Sequence, residues 1–457
     1  VATDWSPKKL LFVSGVPAVA SLVVTLVIAK RLGTEEMAIY LLVRSVAQIA
    51  GSFNLGLPQA MIALAPKLES PRPLVSQASF FALLLVPLQA VAGGLVVGAM
   101  LGSSTFGWLA AALTVGVSGV ALSSSQNHGL MQTKRLAYGS WTDFAVACVM
   151  IVASLFAGLF VLLGLAVARN ALRALVQFSA MPAPSAEGAV HNRNIWKTGG
   201  SLAFRAPVAV TQQFGDRALI PLLFGIGTAA ITGLASTLFA VVYILNSAAS
   251  NYLLPLMSKQ GTSGHKYEQA KALSRLMASV GLLVAVVGVV PLYLLEMLAA
   301  TDLTVYLVIS LALAFNVAQM SLLAALVAQQ RGWAATGLQA SMLLAFYVPG
   351  LVALALGRAG STVPLLALAA LGMAVVLLVT RRTLAETERV RPDPQTMGMV
   401  LAAGFFLLVP QASPPALVAV AAGLSLLSLI NIVADRHVAG IVRPIWAKIS
   451  GRMSRSR

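Results

Sequence analysis

The chain has 457 residues, 58% of them hydrophobic and 10% charged, with a mean hydropathy of +0.88. Soluble domains carry about 25% charged residues, so the composition excludes an ordinary soluble enzyme and describes a polytopic membrane protein whose core is the inside of a helix bundle. The formal charge of +17 is dispersed over short loops, which argues against nucleic acid and for contact with anionic lipid, and the single cysteine, Cys148, excludes disulfides and cysteine-based metal sites.

Apolar windows of about 17–25 residues predict fourteen spans. They lie near 9–29, 37–64, 76–101, 108–131, 138–157, 161–178, 198–222, 229–255, 275–296, 303–329, 335–356, 362–380, 396–411 and 415–434. The first is long enough to cross a bilayer and is expected to be a span rather than a cleaved signal peptide. On this reading 23 of the 31 Lys+Arg fall in the termini and alternate loops, three fall on the other side (Lys30, Arg31, Arg358) and five lie inside spans. Cytoplasmic loops carry the Lys/Arg excess, so both termini are expected in the cytoplasm. The expected organisation is a lobe of spans 1–6 (1–180), a lobe of spans 7–12 (181–394), two further spans (395–434) and a basic cytoplasmic tail (435–457).

In chain order, span 1 carries Ser14, Ser21 and Thr25 on one face and Pro17 within it. Span 2 carries Tyr40, Arg44, Gln48 and Gly51 on one face. Asp143 reads as an interfacial partner of Lys134 and Arg135 at the end of span 5. Arg169 and Arg173 share a face of span 6, Arg173 within reach of the cytoplasmic surface. The polar linker 179–197 follows. In span 7, Arg205, Gln212 and Asp216 fall within about 20° of one line along the helix, and Arg217 beside Asp216 reads as a local charge pair. Span 8 carries Tyr243, Asn246, Ser247 and Ser250. A basic loop, 381–394, precedes the last two spans.

A weak repeat links the halves. Residues 16–19 read VPAV and 206–210 read APVAV, and LGTEEMAIY after span 1 parallels IGTAAITGL after span 7. The proline offset is 207 − 17 = 190 and the Gly-Thr offset 227 − 33 = 194. Six spans per unit make this a parallel repeat, which predicts two pseudo-symmetric lobes around a central cavity. Pro17 and Pro207 are then candidate hinges.

An arginine inside a span costs about 2.5–3.5 kcal/mol on insertion scales, so it needs a task or a partner. Guanidinium matches phosphate oxygens with paired hydrogen bonds. A cation exporter would instead place carboxylates in its cavity, and the two intramembrane acids, Asp143 and Asp216, fall toward span ends. Arg44, Arg169, Arg173, Arg205 and Arg217 are therefore the candidate anion ligands. Snorkelling for Arg44 and Arg173, and helix-to-helix hydrogen bonding for the stripes, are the competing structural readings. No nucleotide-binding loop, metal-ligand cluster or nucleophile–base pair is found; neither a cofactor nor an enzymatic reaction is expected.

Two segments carry a family resemblance. AKRLGTEEMAIYLLVRSVAQIAGSFNLGLPQAMIALAPK (29–67) and FGDRALIPLLFGIGTAAITGLASTLFAVVYILNSAASNYLLPLMSK (214–259) resemble corresponding regions of O-antigen (Wzx-type) polysaccharide flippases of the multidrug/oligosaccharidyl-lipid/polysaccharide exporter superfamily. The resemblance implies an all-α inner-membrane protein of bacteria that flips an undecaprenyl-diphosphate-linked oligosaccharide by alternating access. Arg44, Arg169, Arg173, Arg205 and Arg217 would hold the diphosphate, and Tyr40, Gln48, Gln212, Asp216 and Asn246 the sugar. The implied partners are the lipid-linked glycan, membrane lipids, and a polysaccharide polymerase with other glycan-assembly proteins. Fourteen spans, where many such flippases have twelve, keep the lipid II flippase branch open. An H⁺- or Na⁺-coupled drug or metabolite exporter and a non-transporting membrane scaffold are the further alternatives.

Overall fold

A computed structural model describes residues 7–179, 181–259, 263–299, 302–329, 331–356, 362–385 and 393–434. In α1 the side chains are described from Val19 onward. Every described regular element is helical. Among the described residues, ten helices are long and apolar enough to cross a bilayer. Their exposed faces are apolar too: Leu84, Leu88, Val91 and Leu95 form one uncharged stripe along a single helix, each more than half exposed. That is the pattern of an integral membrane protein, in which lipid replaces water around the outside.

Contacts divide the chain into two compact units, Val1–Gly233 and Leu234–Arg457. The linker 179–197 and the start of span 7 belong to the first unit, so the division falls inside a helix rather than in that linker. The first unit comprises α1 (Pro7–Arg31), α2 (Thr34–Gly51), α3 (Leu57–Leu64), α4 (Arg72–Leu101), α5 (Ser104–Gly129), α6 (Thr133–Ser154), α7 (Leu159–Gln177), α8 (Ala186–Ala189), α9 (Asn192–Leu202) and the beginning of α10 (Arg205–Lys259). Helix α5 is central, packing on α2, α3, α4 and α7, while α6 packs on α1 and α7.

Span 2 is not one helix. The chain breaks at 52–56, where Asn54 Oδ1 accepts from Gly56 N at 3.2 Å. A broken span frees carbonyls where no water can reach them. Here Gln89 of α4 donates to the Phe53 carbonyl at 2.8 Å, and Ser118 of α5 donates to Gln89 Oε1 at 2.7 Å. Gly56 has φ +70°, and a Cβ there would lie 2.1 Å from the carbonyl oxygen of Gly199 in α9. Glycine is thus required both by the left-handed backbone and by the contact. Ile195 of α9 is buried with Leu57, Met61, Leu74 and Val75. The polar linker is tied down as well: Ser76 Oγ bonds the Met181 and Ala183 carbonyls, and Gln77 accepts from Ser185 N.

Helices α4 and α5 cross where small residues let the backbones meet. A Cβ on Gly107 would lie 2.8 Å from the Gly94 carbonyl oxygen, which neither helix can avoid without separating. Gly107→Val is expected to destabilise the protein by about 1–3 kcal/mol, the usual range for overpacking. Thermal unfolding in detergent micelles checks this; an unchanged midpoint would mean the helices separate freely.

Arg31 sits on the side of the chain where the charge sorting predicts few cations. Its guanidinium donates to the carbonyls of Ser154, Phe156 and Ala157, at 2.9, 2.8 and 2.6 Å. The Ser154 carbonyl is the last of α6 and the other two lie just past its end, so the Arg31 charge sits at the helix C-terminus, where it is favourable.

The second unit comprises the end of α10, then α11 (Ser263–Leu294), α12 (Leu303–Ala328), α13 (Gly332–Ala355), α14 (Thr362–Ala385), α15 (Pro394–Leu408) and α16 (Pro414–Ala434). Helix α12 is its core, almost entirely buried and packed on α11, α13 and α14. Gln319 of α12 donates to the Leu338 carbonyl and to Thr380 Oγ1. Arg381 belongs to α14, not to the basic loop expected at 381–394. It is 1% exposed and paired with Asp393, which caps α15 by accepting from Thr396 N at 3.0 Å and Thr396 Oγ1 at 2.9 Å. The tail 435–457 lies outside the described residues.

Candidate functional site

The helices bring four of the candidate residues together midway along their lengths. Tyr40 and Arg44 come from α2, Arg169 and Arg173 from α7. Arg169 is 8% exposed and grips Asp143 of α6 with two bonds, Nε to Oδ1 at 2.6 Å and Nη2 to Oδ2 at 2.8 Å. Arg173 approaches the same carboxylate at 3.6 Å. Arg44 donates to Ser21 Oγ of α1 and to Tyr40 Oη, both at 3.2 Å, and lies within electrostatic reach of Asp143. Its guanidinium carbon is 5.2 Å from the Tyr40 ring centroid.

This corrects the reading of Asp143. Helix α6 begins at Thr133, so Asp143 is at its middle rather than at a span end, and its partners are Arg169 and Arg173. Arg135 instead donates to the Phe178 carbonyl. Arg173 does not reach out to the surface alone; it is half-buried beside the pair. Two guanidiniums thus meet one carboxylate and a third lies nearby on Ser21 and Tyr40, an excess of two positive charges inside apolar helices. The i, i+4 spacing of Arg169 and Arg173 placed them on one face, but only the packing of α6 on α7 supplies the acid.

The span 7 stripe lies on α10. Gln212 and Asp216 are buried and Arg205 and Arg217 half-buried, with the Arg217 guanidinium 5.9 Å from the Phe214 ring centroid. Arg205 makes no hydrogen bond or ion pair among the described residues. Asp216 stands midway between the helix start and the kink at Gly225, so it too is not at a span end. Gln48 is half-buried in the stripe of α2 and makes no hydrogen bond among the described residues.

Asn246 is the one candidate residue of the second half of α10. It lies in the second unit, 1% exposed, donating to the Val317 carbonyl at 3.2 Å and accepting from Ser321 Oγ at 2.7 Å. Tyr243, one turn earlier, accepts from Asn316 at 2.8 Å. These bonds join α10 to α12 and tie Asn246 and Tyr243 into the packing of the second unit. The side chains of Ser247 and Ser250 lie outside the described residues.

The prolines differ from one another. Pro207 is in the first turn of α10, directly after the break at 203–204, where a missing N–H removes no helix bond. It starts a helix and does not kink one. The side chain of Pro17, midway along α1, lies outside the described residues. The departure from helix within α10 is at Gly225 (φ 84°, ψ 168°), and Gly33, before α2, has nearly the same backbone (φ 111°, ψ 163°). Both open a helix in a conformation that essentially only glycine adopts. Their offset, 225 − 33 = 192, lies between the two repeat offsets in the sequence.

A cavity of about 60 Å³ in the first unit is lined by Ala38, Leu42, Met100, Pro221 and other apolar residues and includes none of the arginines. Compared with known proteins, the chain matches no family model, no curated protein and no solved structure.

Proposed function

We propose that the protein is a flippase that carries a polyprenyl-diphosphate-linked oligosaccharide across the bacterial cytoplasmic membrane by alternating access, without chemical conversion of its cargo. The observation that carries this reading is that Arg44, Arg169 and Arg173 are grouped inside apolar helices with a single carboxylate between them to share. Uncompensated cations at membrane depth mark the path of an anion, and guanidinium is the side chain best matched to a diphosphate. The resemblance of 29–67 and 214–259 to O-antigen flippases supports the same cargo. In this reading the chain has fourteen spans, two six-helix lobes, two added C-terminal spans and both termini in the cytoplasm. Arg205 and Arg217 extend the cationic path, and Gln48, Gln212 and Asp216 meet sugar hydroxyls.

The test is depletion of the protein in cells, followed by lipid extraction and mass spectrometry of polyprenyl-linked sugars. One species should accumulate and be cleared by re-expression. Arg205→Ala should fail to clear it at normal membrane levels, while Arg205→Lys should retain part of the activity. Full clearance by both variants would remove Arg205 from the path; no accumulation while the glycan pathway runs would sink the flippase reading. A coupled exporter is the second reading, and the mid-helix position of Asp143 favours it. Both Asp143 oxygens are held by Arg169, however, which leaves them poorly placed to take a cation. Altered drug susceptibility on deletion would support the exporter.

A further inference from the structure

We infer that Asp143 is a built-in competitor for the anionic cargo: its carboxylate occupies Arg169 and shares Arg173 when the site is empty, and a diphosphate displaces it. This rests on the flippase reading for the identity of the cargo, but the site itself stands on geometry. Three guanidiniums offer about fifteen N–H donors. Here they make four hydrogen bonds, two to Asp143 and two to the neutral hydroxyls of Ser21 and Tyr40. Arg173 meets Asp143 only at 3.6 Å, and its Nε is buried without a hydrogen-bond partner. Among the described residues no other carboxylate pairs with any of the three. The cluster is therefore under-filled with acceptors and short of two negative charges. A diphosphate supplies both, with more oxygens than one carboxylate.

A permanent anion in such a site has a second consequence. Filled by Asp143, the empty site is less highly charged inside the membrane, so its ligand-free form remains folded. The same carboxylate weakens cargo binding, because the cargo must break two charge-assisted bonds to reach Arg169. A carrier has to release what it binds, and a resident competitor favours release.

The experiment measures binding and thermal unfolding of the purified full chain in detergent, with inorganic diphosphate and with farnesyl diphosphate as probes. Asp143→Asn should bind at least one probe tenfold or more tightly than wild type, and that probe should raise its unfolding midpoint further than it raises that of wild type. Arg173→Gln leaves the Asp143–Arg169 pair intact; it should unfold like wild type and lose the probe-induced shift. Equal or weaker binding by Asp143→Asn, or an unchanged shift in Arg173→Gln, overturns the proposal. Tighter binding of farnesyl diphosphate than of inorganic diphosphate identifies a lipid-linked source, and the reverse a free anion. Diphosphate binding with these variant effects, but no lipid-linked sugar accumulating in depleted cells, would discard the flippase reading and keep the site.

Discussion

Asp143→Ala is expected to lower the stability of the ligand-free protein by about 3–5 kcal/mol, the range for removing one partner of a buried ion pair. The loss comes less from the missing attraction than from what stays behind. Arg169, 8% exposed, would keep its charge with no acceptor for the Nε and Nη2 groups that now grip the carboxylate, and Arg173 would face it across the same space. Arginine does not lose its proton in proteins, so the charge cannot be shed. Cys148, the single cysteine and half-buried on the same helix, gives a direct readout through its reaction with a thiol dye on heating. The paired change Asp143→Leu with Arg169→Met should recover most of the loss, since apolar replacement of a whole buried pair is often neutral. An Asp143→Ala protein that melts like wild type would show that water or lipid headgroups already reach these arginines.

The second large effect is expected at the junction of α14 and α15. Asp393→Ala removes the partner of Arg381, which is 1% exposed, and also the cap of α15, so a loss of about 3–5 kcal/mol is again expected. Burial alone would push the Asp393 carboxyl up. The Arg381 charge and the hydrogen bonds from Thr396 and Arg381 together outweigh that and hold it below its ordinary value. A carboxyl with a depressed folded-state pKa adds stability that is complete above its unfolded value, about 4, and is lost as pH falls through the folded one. The difference in unfolding midpoint between wild type and Asp393→Asn should thus be constant near neutrality and narrow in acid below about pH 4. A difference that stays the same down to pH 3 would show that the pair does not depend on the charge of Asp393.

Much of the helical framework was legible in the sequence because a bilayer imposes a length and a polarity that a sliding window detects. The same averaging hid the break in span 2. Ser52 and Asn54 vanish among apolar neighbours, although the run Gly51-Ser52-Phe53-Asn54-Leu55-Gly56-Leu57-Pro58 holds the punctuation that ends one helix and starts another. Arg44, Arg169 and Arg173 could be picked out because a charge in an apolar window stands alone. Their counter-ion could not: Asp143 is 26 residues from Arg169, and helical periodicity reports which face a residue occupies, not which helix will lie against it. Arg381 failed for the opposite reason. Next to Arg382 and a charged loop it resembled a topogenic surface cation, and only the length of α14 buries it. At Asn246 the sequence does not separate a sugar ligand from a packing amide, since both put a polar group on one face of an apolar helix.

The Gln89 bridge limits how the first unit can move. A carrier that opens alternately to two sides must let some helices slide or tilt against others. Gln89 holds the Phe53 carbonyl from α4 while Ser118 holds Gln89 from α5, so three helices are locked in register at the depth of the break. Sliding α4 past α2 by even one residue, about 1.5 Å, would abandon that carbonyl in hydrocarbon, at a cost of several kcal/mol. Under the proposed alternating access, helices α2, α4 and α5 are expected to move as one block, with any change of shape in this unit taking place around them.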